Sequence, residues 1–395
     1  MKPERPIKVL HVVDNLGMGG GEKWLMELLR LWSKSGEVRM DFLATSGNRS
    51  YFDDEAQRFG AQIHYLRYGR GHLFEFADKF RRTLREGEYD AIHDHEDYAS
   101  GWHFLMGGRA LPPVRITHIH NPAYQIRNNY GVTFTRRITA RIGKYLVWQY
   151  ATHIAGTSRQ AITEYGFDTP YFSRIPKAAL YCGFDPSRFL GDRPAAKAAV
   201  CREFGWPENS KIFLFAGRMD LSAEMNHPQN HKNSGFAVSV GIECARRDSS
   251  VRMLFAGALN PSSNILEARI NAAGFSGRIR FAGIRNDMGL LMLGSDALLF
   301  PSRGEGLGMV AVEAQAAGLP VLASTAVPRE CVVVPDLVRF EDLEAGATIW
   351  AKMLLDLAGL SRDVAQSNRR VAESAFSIKN STRQLLTLYK EKTRI

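Results

Sequence analysis

The chain has 395 residues, 45% of them hydrophobic and 23% charged, with 35 glycines and a formal net charge of +10. That length exceeds one ordinary core and predicts two or three domains, and no apolar run reaches the roughly 18 residues that a bilayer-crossing helix needs. Four cysteines, Cys182, Cys201, Cys244 and Cys331, stand far apart without CxxC spacing, which argues for reduced thiols and against a disulfide framework or a cysteine zinc site.

From the N-terminus, "MKPERPIKVLHVV" passes from charged residues straight into an apolar strand, without the apolar core and cleavage site of a signal peptide, so a cytoplasmic protein is expected. "KVLHVV", "MDFLAT", "AQIHYL", "DAIHDH" and "VRITHIH" read as strands, separated by helix-period segments such as "EKWLMELLRLWSK" and "FADKFRRTLRE". The alternation resumes with "KIFLFAG", "VRMLFAG", "IRFAG", "ALLFPS" and "PVLAS", and such a pattern predicts α/β architecture with parallel sheets covered by helices. Pro, Gly and Ala interrupt it at 175–199, and "NSTRQLLTLYKEKTRI" closes the chain as a basic amphipathic helix. The expected division is 1–182, 183–375 and a terminal helix at 376–395 that packs back on the first domain. Two doubly wound domains would face each other across a cleft, each offering the carboxyl ends of its strands to a ligand.

Charge is uneven. No acidic residue lies between Asp97 and Glu164, whereas Arg109, Arg115, Arg127, Arg136, Arg137, Arg141, Lys144 and Arg159 do. Within it, residues 124–150 interleave Arg and Lys with Tyr124, Tyr130, Phe134, Tyr145, Trp148 and Tyr150. Such a surface suits an anionic membrane face or nucleic acid. No nucleic-acid module accompanies it, and membrane contact is the expectation, with a solvated helix face over core aromatics as the plain alternative.

"FPSRGEGLGMVAVEAQAAGLPVLAS", residues 300–324, sets Glu305 and Glu313 eight positions apart around a glycine turn that leads from a strand into a helix. Backbone N–H groups at such a helix start attract a diphosphate. Two carboxylates about 10 Å apart suit the hydroxyls on either side of it, as in a nucleotide sugar. A solvated loop glutamate and a surface helix glutamate are the plain alternative. Gly19, Gly20 and Gly21 form a second glycine loop after the first strand, but "GMGGGE" lacks GxGxxG spacing, which counts against NAD. "HDHED", residues 93–97, offers metal-ligand types, yet adjacent residues of a strand point to opposite faces, so no metal is expected there.

The stretch from Pro301 to Ser324 resembles the E-x7-E signature of retaining glycosyltransferases of family 4, which have the GT-B fold of two Rossmann-like domains. The likeness extends along nearly the whole chain through "HVVDNLGMGGGEKWLMELL", "LYCGFDPSRF", "FAGR" and "RIRFAGIRNDMGLLMLGSDALLFPS". The resemblance implies retaining, metal-independent transfer of a hexose-type sugar from a nucleoside-diphosphate donor to a glycan or lipid-linked acceptor, with no further cofactor. A non-catalytic binder on the same scaffold is the alternative. The resemblance also implies that Glu305 stands near the transferred sugar, Glu313 on the ribose, and the amides of Leu307, Gly308 and Met309 on the diphosphate. Arg218 and Lys232 would neutralise the leaving diphosphate, Ile284 and Arg285 would hold the base largely through backbone groups, and Gly20 and Gly21 would let the donor approach. His120 would hydrogen-bond the donor hexose, with His93, His95 and His118 lining the acceptor cleft. One departure stands out: thirteen residues separate Arg218 from Lys232, more than the family's short spacer.

Overall fold

The computed structural model describes residues 5–123, 133–224 and 227–391. Its chain divides into two compact units. One runs to Phe184 and takes back the chain from Ile378, and the other is Asp185–Ser377.

The first unit contains a seven-stranded parallel sheet of order β3-β2-β1-β4-β5-β6-β7. Its strands are β1 (Ile7–Val13), β2 (Val38–Ala44), β3 (Ile63–Tyr65), β4 (Ala91–Asp94), β5 (Val114–Ile119), β6 (His153–Gly156) and β7 (Lys177–Ala179). The second contains a six-stranded sheet of order β10-β9-β8-β11-β12-β13. It comprises β8 (Lys211–Ala216), β9 (Val251–Ala256), β10 (Ile279–Gly283), β11 (Ala297–Phe300), β12 (Val321–Ser324) and β13 (Val338–Glu341). Every pairing is parallel. Central strands are buried almost throughout, as Val9 to Val13 and Ile212 to Ala216 are, because helices cover both faces of a parallel sheet.

Strand order reverses between β1 and β4 in one sheet and between β8 and β11 in the other. A crevice forms beyond the carboxyl ends of strands at such a point, and ligands of open α/β sheets lie there. The loops after β1, β4 and β5 carry Gly20, Gly21, His95 and His120, and those after β8 and β11 carry Arg218 and Glu305.

The C-terminal helix Ile378–Lys390 belongs to the first unit. Trp24 Nε1 of the first helix, Gly20–Ser35, donates to Ser381 Oγ at 2.9 Å, and Ser381 Oγ donates to the Tyr181 carbonyl at 3.0 Å. Tyr389, fully buried, meets His93 Nδ1 through its hydroxyl at 2.8 Å.

Candidate functional site

In the second unit, buried β11 ends at Pro301 and Ser302, and the glycine turn delivers the helix Met309–Ala316. Its N-cap is Gly308 at φ +93°, where a Cβ would stand 3.0 Å from Phe300 and from Val327. Only glycine suits both that backbone and that space. No side chain caps the helix, and although Ala311 N donates to the Gly308 carbonyl at 2.9 Å, the start of the helix still turns its positive dipole end toward an anion.

Glu305 Oε1 accepts from Ser302 Oγ and from Lys232 Nζ, each at 2.6 Å. The thirteen-residue spacer still brings Lys232 to Glu305 because buried Asp220 ties its ends. One Asp220 oxygen accepts from Lys232 N at 2.9 Å and the other from Ser234 N at 2.6 Å. Asn260 Nδ2 and Ser262 Oγ hold the Asp220 carbonyl in turn. Residues 225 and 226 lie outside the described part.

Arg218, next after Gly217 at the end of β8, is exposed, and among the described residues its guanidinium pairs with no carboxylate. Sequence reasoning missed His231. It is buried, its carbonyl accepts from Arg303 N at 2.8 Å, and burial with the charge of Arg218 holds its imidazole below the ordinary value. Its field includes Arg218, Asp220, Glu305 and Lys232, so these groups form one charged cluster. Glu313 is half-buried within the helix, one to two turns behind Gly308. Ile284 is exposed, and the Arg285 guanidinium is held by Asp287 at 2.8 and 2.7 Å and by Glu203 at 2.9 Å.

The first unit gathers five imidazoles on one face of its sheet. His11 of β1 lies opposite His93 of β4 in register, with His95, His118 and His120 beside them. His120 Nε2 meets His95 Nδ1 at 2.8 Å, His95 Nε2 meets His11 Nδ1 at 3.0 Å, and His93 Nε2 meets His118 Nδ1 at 3.0 Å. Burial pushes His11 down to about 3 and His120 to about 4, and holds His93, His95 and His118 well below the ordinary imidazole value. All five are therefore neutral at pH 7.

Two expectations are corrected here. His93 and His118 do not line a cleft: both are 0% exposed, under Trp24, 5.7 Å from His118, and Tyr389, 6.0 Å from His93, between ring centroids. The argument from opposite strand faces also fails for His93 and His95, which are two residues apart and stack at 4.2 Å. His95 and His120 remain half-buried. Gly20 and Gly21 open the first helix, and a Cβ on Gly21 would come 3.4 Å from His120 Nδ1 while one on Gly20 would meet nothing. Gly21 thus leaves room beside His120.

Deeper in the sheet, Asp94 Oδ2 pairs with His103 Nδ1 at 2.7 Å, both fully buried, and Ser100 Oγ donates to Asp94 Oδ1. Burial pushes Glu96 up to about 7 and Asp97 up to about 6. Asp97 accepts from His120 N at 2.9 Å and so fixes the end of β5.

Of segment 124–150, residues 124–132, including Tyr124, Arg127 and Tyr130, lie outside the described part. The helix Phe134–Tyr150 follows and exposes Phe134 (77%), Ile138 (43%), Ile142 (39%) and Tyr145 (48%), with Arg136, Arg137 and Arg141 also exposed.

Residues 18–175 match the family described as Glycosyltransferase Family 4, and residues 210–354 match the one described as Glycosyl transferases group 1. The chain belongs to glycosyltransferase family 4. Among members of wider kinship, this family 4 chain is 25% identical to EpsF of Bacillus subtilis (strain 168), covering 97% of this chain and 96% of that one. It is also 25% identical to the capsular polysaccharide biosynthesis glycosyltransferase CapH of Staphylococcus aureus, covering 98% and 99%. The Anabaena protein Alr3699/HepE, crystallised in complex with UDP, superposes with a TM-score of 0.73 at 17% identity over 97% of this chain and 98% of that chain. That likeness carries the fold. The two α/β units are the Rossmann-like domains of a GT-B glycosyltransferase.

Proposed function

We propose that this glycosyltransferase moves a hexose-type sugar from a nucleoside-diphosphate donor, with retention and without a catalytic metal, to a hydroxyl of a glycan or lipid-linked acceptor in polysaccharide or glycoconjugate biosynthesis. The observation that carries the reading is the Lys232–Glu305 pair beside the uncapped start of the helix Met309–Ala316. It unites a cation, a hydroxyl-binding carboxylate and free amides, the three groups a sugar diphosphate needs. EpsF and CapH support the pathway class, and the UDP complex of HepE supports the donor class.

In this reading the second unit binds the donor. Met309 and its neighbours hold the diphosphate by backbone amides, Arg218 and Lys232 offset its growing charge, and Glu313 takes the ribose hydroxyls. The bond from the anomeric carbon to the diphosphate oxygen breaks as the acceptor oxygen bonds the same face, and the acceptor proton passes to the departing diphosphate. Glu305 orients the hexose, and His120, neutral and fixed by Asp97, offers it a hydrogen bond. Stabilising charge that develops only in the transition state is the main catalytic contribution.

Titration with UDP, GDP, ADP and their sugar conjugates, followed by thermal unfolding, tests the donor site. A nucleotide at 100 times its Kd stabilises by about 2.7 kcal/mol. One base should raise the melting temperature of the parent and lose most of that effect in Glu313→Ala. No shift with any nucleotide would overturn the reading.

The exposed stripe Phe134, Ile138, Ile142 and Tyr145, flanked by arginines, favours a peripheral position on an anionic membrane. Apolar burial and attraction to anionic headgroups add there. Flotation with vesicles containing phosphatidylserine should carry the protein up at low salt, and Phe134→Ser/Ile138→Ser should stay at the bottom. Equal flotation of both would refute the assignment to this helix.

A further inference from the structure

The histidine face of the first unit holds more nitrogen ligands than one sugar contact requires. Imidazoles on the inner face of a parallel sheet take places that apolar side chains ordinarily fill, and each buried ring nitrogen must find a partner. Two groups of three bring one nitrogen from each ring within 4.8 Å of one another: His11, His93 and His95, and His95, His118 and His120. They share His95, so one ion excludes the other.

The outer group has the features of a ligand site. His95 and His120 are half-buried, which gives an entry path and a solvent-facing position, whereas two members of the inner group are fully buried. In the outer group His95 and His118 each have the other ring nitrogen engaged: His95 Nε2 with His11 at 3.0 Å, and His118 Nδ1 with His93 at 3.0 Å. His93 is held in turn by the Tyr389 hydroxyl at 2.8 Å. Partners of this kind orient metal-bound histidines. His118 Nε2 is buried without a hydrogen-bond partner of good geometry among the described residues, with the Leu180 backbone nearby.

We propose that one ring nitrogen each of His95, His118 and His120 binds one late first-row divalent cation, with zinc as the representative ion and water in the fourth position. Imidazole donors select zinc, nickel, copper or cobalt and not magnesium or calcium. Zinc–nitrogen distances of 2.0–2.1 Å set neighbouring nitrogens about 3.3 Å apart, so the 2.8 Å contact of His95 with His120 opens slightly as the ion takes the place of its shared proton, which moves to the other nitrogen of the donor ring. An ion there occupies the His120 nitrogen that points away from Gly21 and fixes the ring. This inference concerns binding and does not rest on glycosyl transfer.

The test uses the full chain, without an affinity tag and stripped of metal. Zinc is titrated in competition with a chromophoric chelator, and cobalt absorption is recorded in parallel. The expected result is one equivalent bound with a Kd on the order of 1 μM or tighter, at least ~10-fold weaker binding in His120→Ala, no change in His72→Ala, and intense tetrahedral cobalt bands in the parent. His120 stands half-buried at a strand end, and the cobalt spectrum of the parent needs no variant. Absence of stoichiometric binding at about tenfold the expected Kd would overturn the proposal, as would unchanged affinity in a folded His120→Ala or weak octahedral cobalt bands.

Discussion

Acidification from pH 7.5 to 5.5 is expected to lower the stability of the first unit by about 4 kcal/mol. Five imidazoles, His11, His93, His95, His118 and His120, lie below the ordinary value of 6.5 in the fold because burial disfavours their charged form. Once unfolded, each regains that ordinary value. Below pH 6.5 the unfolded chain therefore binds more protons than the folded one, and stability falls as pH falls. Each group costs up to about 1.4 kcal/mol per pH unit, so five approach about 7 kcal/mol at pH 5.5. Glu96, raised to about 7, and Asp97, raised to about 6, act in the opposite sense: the folded form binds their protons first, which returns about 2–3 kcal/mol over the same interval. His103, where burial is outweighed by Asp94 and Glu96 together and the ring lies above its ordinary value, also opposes the loss. The remainder is a large part of the roughly 5–15 kcal/mol that holds a domain together. Thermal unfolding at pH 7.5, 6.5 and 5.5 should show the melting temperature drop by about 10 °C or more, with most of the fall below pH 6.5. A flat profile would mean that the imidazoles carry protons inside the fold.

Arg218→Ala is expected to lower kcat by about 10²–10³ while the unliganded protein melts within about 1 °C of the parent. The guanidinium is exposed and pairs with no carboxylate among the described residues, so the fold loses little with it. Lys232→Ala should reduce kcat similarly but also destabilise by about 1–2 kcal/mol, because it leaves Glu305, whose side chain is 14% exposed, with Ser302 alone. Steady-state kinetics alongside melting curves separate the two. Equal kcat in Arg218→Ala and the parent would remove Arg218 from the leaving-group site.

Much of this was legible in the sequence. "KVLHVV", "MDFLAT", "KIFLFAG", "VRMLFAG" and "ALLF" are apolar runs of strand length, and they are the central strands β1, β2, β8, β9 and β11. β6, β7 and β13 escaped because their composition carries little strand signal: "HIAG" and "KAA" are rich in small residues, and "VRFE" is half polar. The glycine turn announced Glu305 and the helix behind it, since local chain direction fixes both. Lys232 was harder, because its place depends on Asp220, Asn260 and Ser262, which close the spacer through long-range hydrogen bonds. His11 gave no signal at all. It sits inside an apolar strand, and only the pairing of β1 with β4 sets it against His93. The buried state of His93 was hidden likewise, since it depends on a tyrosine almost three hundred residues further along the chain.

That tyrosine imposes an order on synthesis. The helix that closes the histidine face leaves the ribosome only after Asp185–Ser377 has been made between it and the sheet it covers. At ordinary elongation rates this delay is ~10–40 s. Throughout it the N-terminal sheet emerges with Trp24, His11 and His93 lacking their lid, while the second unit, continuous in sequence, can complete itself. The first unit is thus completed only after the second has been made, and a nascent chain halted before Ile378 exposes the surface a chaperone would hold.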